Sequence, residues 1–98
     1  MCGIAGFVGS GDRRVIEKMT ETLRYRGPDD DGFFVDPRDR IALGFRRLSV
    51  IDLKGGGQPI FNEDKKVVVI FNGEIYNFKD LRRKLLDKHR FYTNTDTE

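Results

Sequence analysis

Ninety-eight residues suffice for one small domain and not for two. Charged residues make up 35% of the chain, yet the net charge is only +2, too small an excess for a dedicated nucleic-acid or membrane-surface binder. No apolar run approaches the roughly 18 residues of a membrane span, and one cysteine with one histidine excludes an internal disulfide and a Cys/His zinc cluster.

Ile4-Ala5-Gly6-Phe7-Val8, closed by Gly9-Ser10-Gly11, reads as a short buried strand. Val15, Ile16, Met19 and Leu23 then recur at helical spacing behind Asp12 as N-cap. That helix must end before Gly27-Pro28, because a residue preceding proline is pushed out of the helical region. Phe33-Phe34-Val35 and Ile41 to Phe45 flank a turn-rich Asp36-Pro37-Arg38-Asp39, the pattern of a hairpin. Gly55-Gly56-Gly57 marks a flexible loop. Val67 to Phe71 is apolar throughout and rich in β-branched side chains, which predicts a strand buried on both faces. Asn77 is a candidate cap for a helix carrying Phe78, Leu81 and Leu85 on one face, with basic residues, His89 among its neighbours, on the other. The last residues, Phe91 to Glu98, stop with no helix or closing turn behind them, as at a cut. No secretory signal opens the chain and a lone thiol suits a reducing compartment, so the expected location is cytoplasmic.

Three positions bear chemistry, each with two readings. Cys2 follows the initiator Met. With Met1 removed it holds a thiol beside a free α-amine that titrates near pH 8, and the amine can serve as base to the thiol without help from histidine. Otherwise it is a small apolar residue at a terminus. Asn72-Gly73 is either a tight turn or an oxyanion hole, a side-chain amide and a backbone N–H side by side. Arg47, in a segment that follows a strand, is either a solvated charge or a planar clamp for a carboxylate.

Taken in order, six segments resemble the glutaminase domain of glutamine-hydrolysing asparagine synthetases, class II glutamine amidotransferases. They are Cys2 to Gly6, Arg26-Gly27-Pro28-Asp29-Asp30, Arg47 to Leu53, Gly57-Gln58-Pro59-Ile60, Phe71 to Asn77 and Thr95 to Glu98. The resemblance implies an α+β fold of the N-terminal-nucleophile hydrolase type, an αββα sandwich of antiparallel sheets, with residues 1–98 its N-terminal part and the synthetase domain absent. It implies glutamine hydrolysis to glutamate and ammonia through a Cys2 thioester, the α-amine of Cys2 acting as base and then as acid. Asn72 and Gly73 would form the oxyanion hole, and Arg47 would bind the α-carboxylate of glutamine. Asp96 with Glu74 would receive its α-ammonium, and the backbones at Leu48 and Val50 would line the pocket. In the whole enzyme the ammonia would serve asparagine synthesis from aspartate and ATP. No metal or cofactor is expected for this chain, since ATP and Mg would enter only through the absent synthetase domain. Expected partners are glutamine, that domain and a second copy paired through exposed strand edges, with no nucleic acid and no membrane. Three other readings accompany this one: a non-catalytic fragment, a glutamine-binding or self-associating module, and the glutaminase part of a related amide-forming synthetase.

Overall fold

The computed structural model describes residues 2–48 and 57–98. In chain order they form strand β1 (Gly3–Val8), helix α1 (Arg13–Glu21), strands β2 (Asp30–Asp36), β3 (Ile41–Arg47), β4 (Ile60–Phe61) and β5 (Val68–Val69), and helix α2 (Phe78–Leu85). All strand pairing is antiparallel, in the order β1-β3-β2 in one sheet and β4-β5 in another, so the class is α+β.

Local chemistry accounts for the first half of the chain. Asp12 caps α1, its Oδ1 accepting from the Val15 N–H at 3.3 Å. The Asp36 side chain accepts from the N–H groups of Arg38 and Asp39 and so closes the β2–β3 hairpin, while Arg40 takes a left-handed φ of 54° to re-enter β3. Antiparallel register then sorts the sheet into two faces. Gly3, Ala5 and Phe7 share one face with Ala42, Gly44 and Arg46, their partners on β3 being Arg46, Gly44 and Ala42. That face is covered by α1, whose fully buried Ile16 and Thr20 sit on Gly44: a Cβ there would lie 1.9 Å from Thr20 Oγ1. The Thr20 hydroxyl is buried and has no hydrogen-bond partner among the described residues.

The opposite face carries Phe45 and Phe34 and is met by the β4 arm. Phe34 packs edge-on against Phe61 with ring centroids 5.7 Å apart, and Ile60 is 4% exposed beside a Phe45 that is 3% exposed. The layers therefore run α1, three-stranded sheet, β4–β5 arm. Helix α2 packs on no strand among the described residues. It is tied instead to the C-terminal segment, through Arg82 Nη1 donating to the Thr93 carbonyl at 2.8 Å and its guanidinium lying 4.7 Å from the Phe91 ring centre.

The second half departs from its sequence pattern in several places. Among the described residues, only Val68–Val69 of the Val67 to Phe71 run pairs, and only with β4; the segment is half-buried and Val67 is 61% exposed. A β-branched run is a strand buried on both faces only where neighbours flank it, and here it has one short partner. Asn77 precedes α2, but its carbonyl rather than its side chain does the capping, accepting from the Asp80 and Leu81 N–H groups. The helix stops at Leu85, so His89 lies beyond it. Arg46 and Arg47 lie within β3 rather than after it. Of the glycine run Gly55 to Gly57, only Gly57 falls among the described residues. No helix among the described residues is long and apolar enough to cross a membrane.

Candidate active site

A small cavity of about 190 Å³ lies where the C-terminal end of β3 meets the start of β1, on the sheet face away from α1. Its walls come from three places. Cys2, Phe45, Arg47 and Leu48 belong to one end of the three-stranded sheet, Gln58, Ile60, Phe71, Asn72 and Gly73 to the β4–β5 arm, and Thr95, Asp96 and Thr97 to the C-terminal segment. The volume is below the roughly 300–1,000 Å³ of sites for drug-sized ligands.

Cys2 is fixed from both sides. Its Sγ accepts from the Leu48 N–H at 3.5 Å. Its carbonyl accepts from Asn72 Nδ2 at 3.0 Å and from Arg26 Nε at 3.3 Å. An amide nitrogen has two N–H donors, and among the described residues only one of those on Asn72 is used. Arg47 reaches the cavity because strand alternation turns it to the opposite face from Arg46, which is 6% exposed and buries its guanidinium under the sheet. There Arg46 Nε donates to the Gly27 carbonyl at 2.7 Å and Nη1 bonds Asp31 Oδ2 at 3.2 Å, pinning the segment that leads into β2.

Asp96 lines the wall formed by the C-terminal segment, and its Oδ2 accepts from the Ile75 N–H at 2.8 Å. The structure thus gathers Cys2, Arg47, Leu48, Asn72, Gly73 and Asp96 around one cavity. Glu74 is exposed and does not line it. Val50 lies outside the described residues.

A larger cleft of about 940 Å³ runs between the β4–β5 turn and the chain after α2. Its lining includes Glu63, whose carboxyl is held below the ordinary value chiefly by the hydrogen bond with His89 Nδ1 at 2.8 Å. It contains no cysteine, and the chain's one thiol, Cys2, lines the smaller cavity. Among the described residues no group of three or more His, Cys, Asp and Glu side chains converges to hold a metal ion.

Residues 1–98 match the glutamine amidotransferase domain family over the whole chain. The chain belongs to that family. It is similar to the glutamine-hydrolyzing asparagine synthetases 2 and 1 of Bacillus subtilis (strain 168), at 41% and 42% identity, and to asparagine synthetase 1 (glutamine-hydrolyzing) of Arabidopsis thaliana, at 44%. Each comparison covers 100% of this chain but only 14%, 16% and 17% of the respective relative, so the chain spans about a sixth of their length.

In this glutamine amidotransferase domain two residues with a hand in the site were not singled out for it from sequence. Arg26 was one residue of a polar turn, and its bond to Cys2 spans 24 positions. Gln58 was visible only as part of a Gln-Pro pair. Its side chain forms two hydrogen bonds with the backbone of Phe71: Oε1 accepts from the Phe71 N–H at 2.6 Å and Nε2 donates to the Phe71 carbonyl at 3.1 Å.

Proposed function

We propose that the chain supplies the glutamine-binding and acyl-transfer site of a glutamine-hydrolysing synthetase. The observation that carries this reading is the shared cavity of Cys2, Asn72, Arg47 and Asp96. A zwitterionic amino acid needs a cation for its carboxylate and an anion for its ammonium, held apart around the group that reacts. Arg47 is assigned to the first and Asp96 to the second.

With Met1 removed, the α-amine of Cys2 takes the thiol proton and the sulfur attacks the side-chain amide carbon of glutamine. The carbonyl oxygen gains the negative charge, which Asn72 Nδ2 and the Gly73 N–H stabilise. The proton then passes from the amine to the leaving nitrogen, the C–N bond breaks, and ammonia departs from a thioester on Cys2. Water, deprotonated by the same amine, attacks the thioester, releases glutamate and restores the thiol. Leu48 holds the sulfur through its N–H, and Arg26 and Asn72 hold the carbonyl of the same residue. In the longer proteins of which this chain resembles one end, the ammonia goes on to asparagine synthesis. On this reading aspartate, ATP and Mg would enter only through a synthetase part that residues 1–98 do not include.

The test is glutamine turnover by chain whose loss of Met1 has been verified by mass. The expected result is glutamate and ammonia in equal amounts, both lost in Cys2→Ala. Glutamine binding without product, or product formation that survives Cys2→Ala, overturns the mechanism.

A further inference from the structure

The site as assigned leaves one well-connected group unused. Gln58 lies on the cavity wall, half-buried, and its amide links the far side of its own β4–β5 arm to the C-terminal segment. Toward one side it grips the N–H and carbonyl of Phe71, the residue immediately before Asn72. Toward the other, Nε2 donates to Thr97 Oγ1 at 3.4 Å, the residue immediately after Asp96. Its own backbone is braced from beneath, because a Cβ on Gly32 of β2 would come within 1.7 Å of the Gln58 carbonyl oxygen. A side-chain amide that pairs with both polar groups of one residue acts as a peptide unit of a missing strand, and it does so where β5 has already ended.

We propose that Gln58 is a positioning residue for the amidotransferase reaction: through Phe71 and Thr97 it sets the placement of Asn72 and Asp96 relative to Cys2. It touches neither the thiol nor the α-amine, so the intrinsic reactivity of Cys2 does not depend on it. What depends on it is the alignment of the oxyanion donor and the ammonium acceptor with a bound substrate. This inference rests on the proposed function, and the experiment is arranged to separate the two.

The measurement is the rate of covalent labelling of Cys2 by an electrophilic glutamine analogue, resolved into limiting rate and half-saturating concentration. Iodoacetamide serves as a probe that needs no pocket. In Gln58→Ala the limiting rate with the analogue is expected to fall about 10- to 100-fold, while iodoacetamide labelling stays within about two-fold of wild type. Gln58→Glu supplies a readout that a merely structural role would not move. Ionised, its carboxylate sets a negative oxygen against the Phe71 carbonyl. Protonated, it donates as the amide does. The ratio of Gln58→Glu to wild-type labelling is therefore expected to climb as pH is lowered from about 8 to about 5, toward the glutamate range. If Gln58→Ala loses its folded circular dichroism, the pH dependence of Gln58→Glu decides alone, and a flat ratio overturns the proposal. Equal limiting rates in wild type and Gln58→Ala also overturn it while leaving the proposed function standing. A wild-type chain that reacts with iodoacetamide but not with the analogue overturns the proposed function and this inference together.

Discussion

Gly32→Ala is a small change that should disturb the site through the backbone alone. The added Cβ would lie 1.7 Å from the Gln58 carbonyl oxygen, 2.9 Å from its carbonyl carbon and 3.2 Å from Pro59 Cδ. A carbon and an oxygen in close contact stand about 3.3 Å apart, so one of the two backbones must retreat by roughly 1.5 Å. Gln58 moves with it. A shift of that size takes its bonds to Phe71, now 2.6 and 3.1 Å, past the range of about 3.2 Å in which such bonds persist. Two hydrogen bonds at about 1 kcal/mol each, with about 1–3 kcal/mol for overpacking, give an expected destabilisation of about 3–5 kcal/mol. Against the roughly 5–15 kcal/mol that holds a typical small domain together, that is a large fraction. Urea unfolding followed by circular dichroism measures it. At a slope of about 1–3 kcal/mol per molar, the midpoint should drop by about 1 M or more. A Gly32→Ala chain within about 0.5 kcal/mol of wild type would refute the close approach and the strain derived from it.

Other outcomes follow from the same geometry. Asn72→Ala should lower the limiting rate of glutamine turnover by about 10²- to 10³-fold with little loss of stability, because Asn72 is exposed; a loss under about three-fold would remove it from the oxyanion hole. Arg46→Leu leaves the buried Gly27 carbonyl without the guanidinium that now donates to it at 2.7 Å, and should cost about 1–3 kcal/mol in the same urea titration; no change would mean another donor takes over. Burial acts to raise the Glu98 carboxyl pKa, but hydrogen bonds from the Thr93 hydroxyl and from the Tyr92 and Thr93 N–H groups outweigh it, with Arg82 helping, and hold it below the ordinary value. A carboxyl depressed in the folded state stabilises above its unfolded value and loses that contribution as pH falls through the folded one. Amide exchange at Tyr92 and Thr93 should therefore quicken as the medium is acidified below about pH 4, relative to the intrinsic rate, and Glu98→Gln should flatten that dependence. An unchanged acid limb in Glu98→Gln would argue against the contact.

What could be read without coordinates was what short-range chemistry decides. Asp12 as a cap, the stop before Gly27-Pro28 and the Asp36 hairpin each depend on residues within four or five positions of one another. Val67 to Phe71 shows where this fails, since nothing local says how many strands flank a β-branched run, and among the described residues β5 has only the two residues of β4. The adjacent Arg46 and Arg47 look alike in sequence, and only the register of β3 sends one beneath α1 and the other to the cavity. Cys2, Arg47, Asn72 and Asp96 were named together only through the family resemblance, and the structure brings the four to one cavity. Composition and periodicity alone left Cys2, Arg47 and Asn72 each with a bland reading and did not single out Asp96. Gln58 shows the remaining gap, because its partners Phe71 and Thr97 stand 13 and 39 positions away.

The most direct check of the acyl-transfer site is intact mass before and after incubation with an electrophilic glutamine analogue. A chain lacking Met1 should gain the mass of one adduct, excess glutamine should suppress the gain, and Cys2→Ala should abolish it. A chain lacking Met1 that gains nothing, or one whose adduct forms equally well in excess glutamine or in Cys2→Ala, would contradict the assignment of Cys2 and its cavity to glutamine.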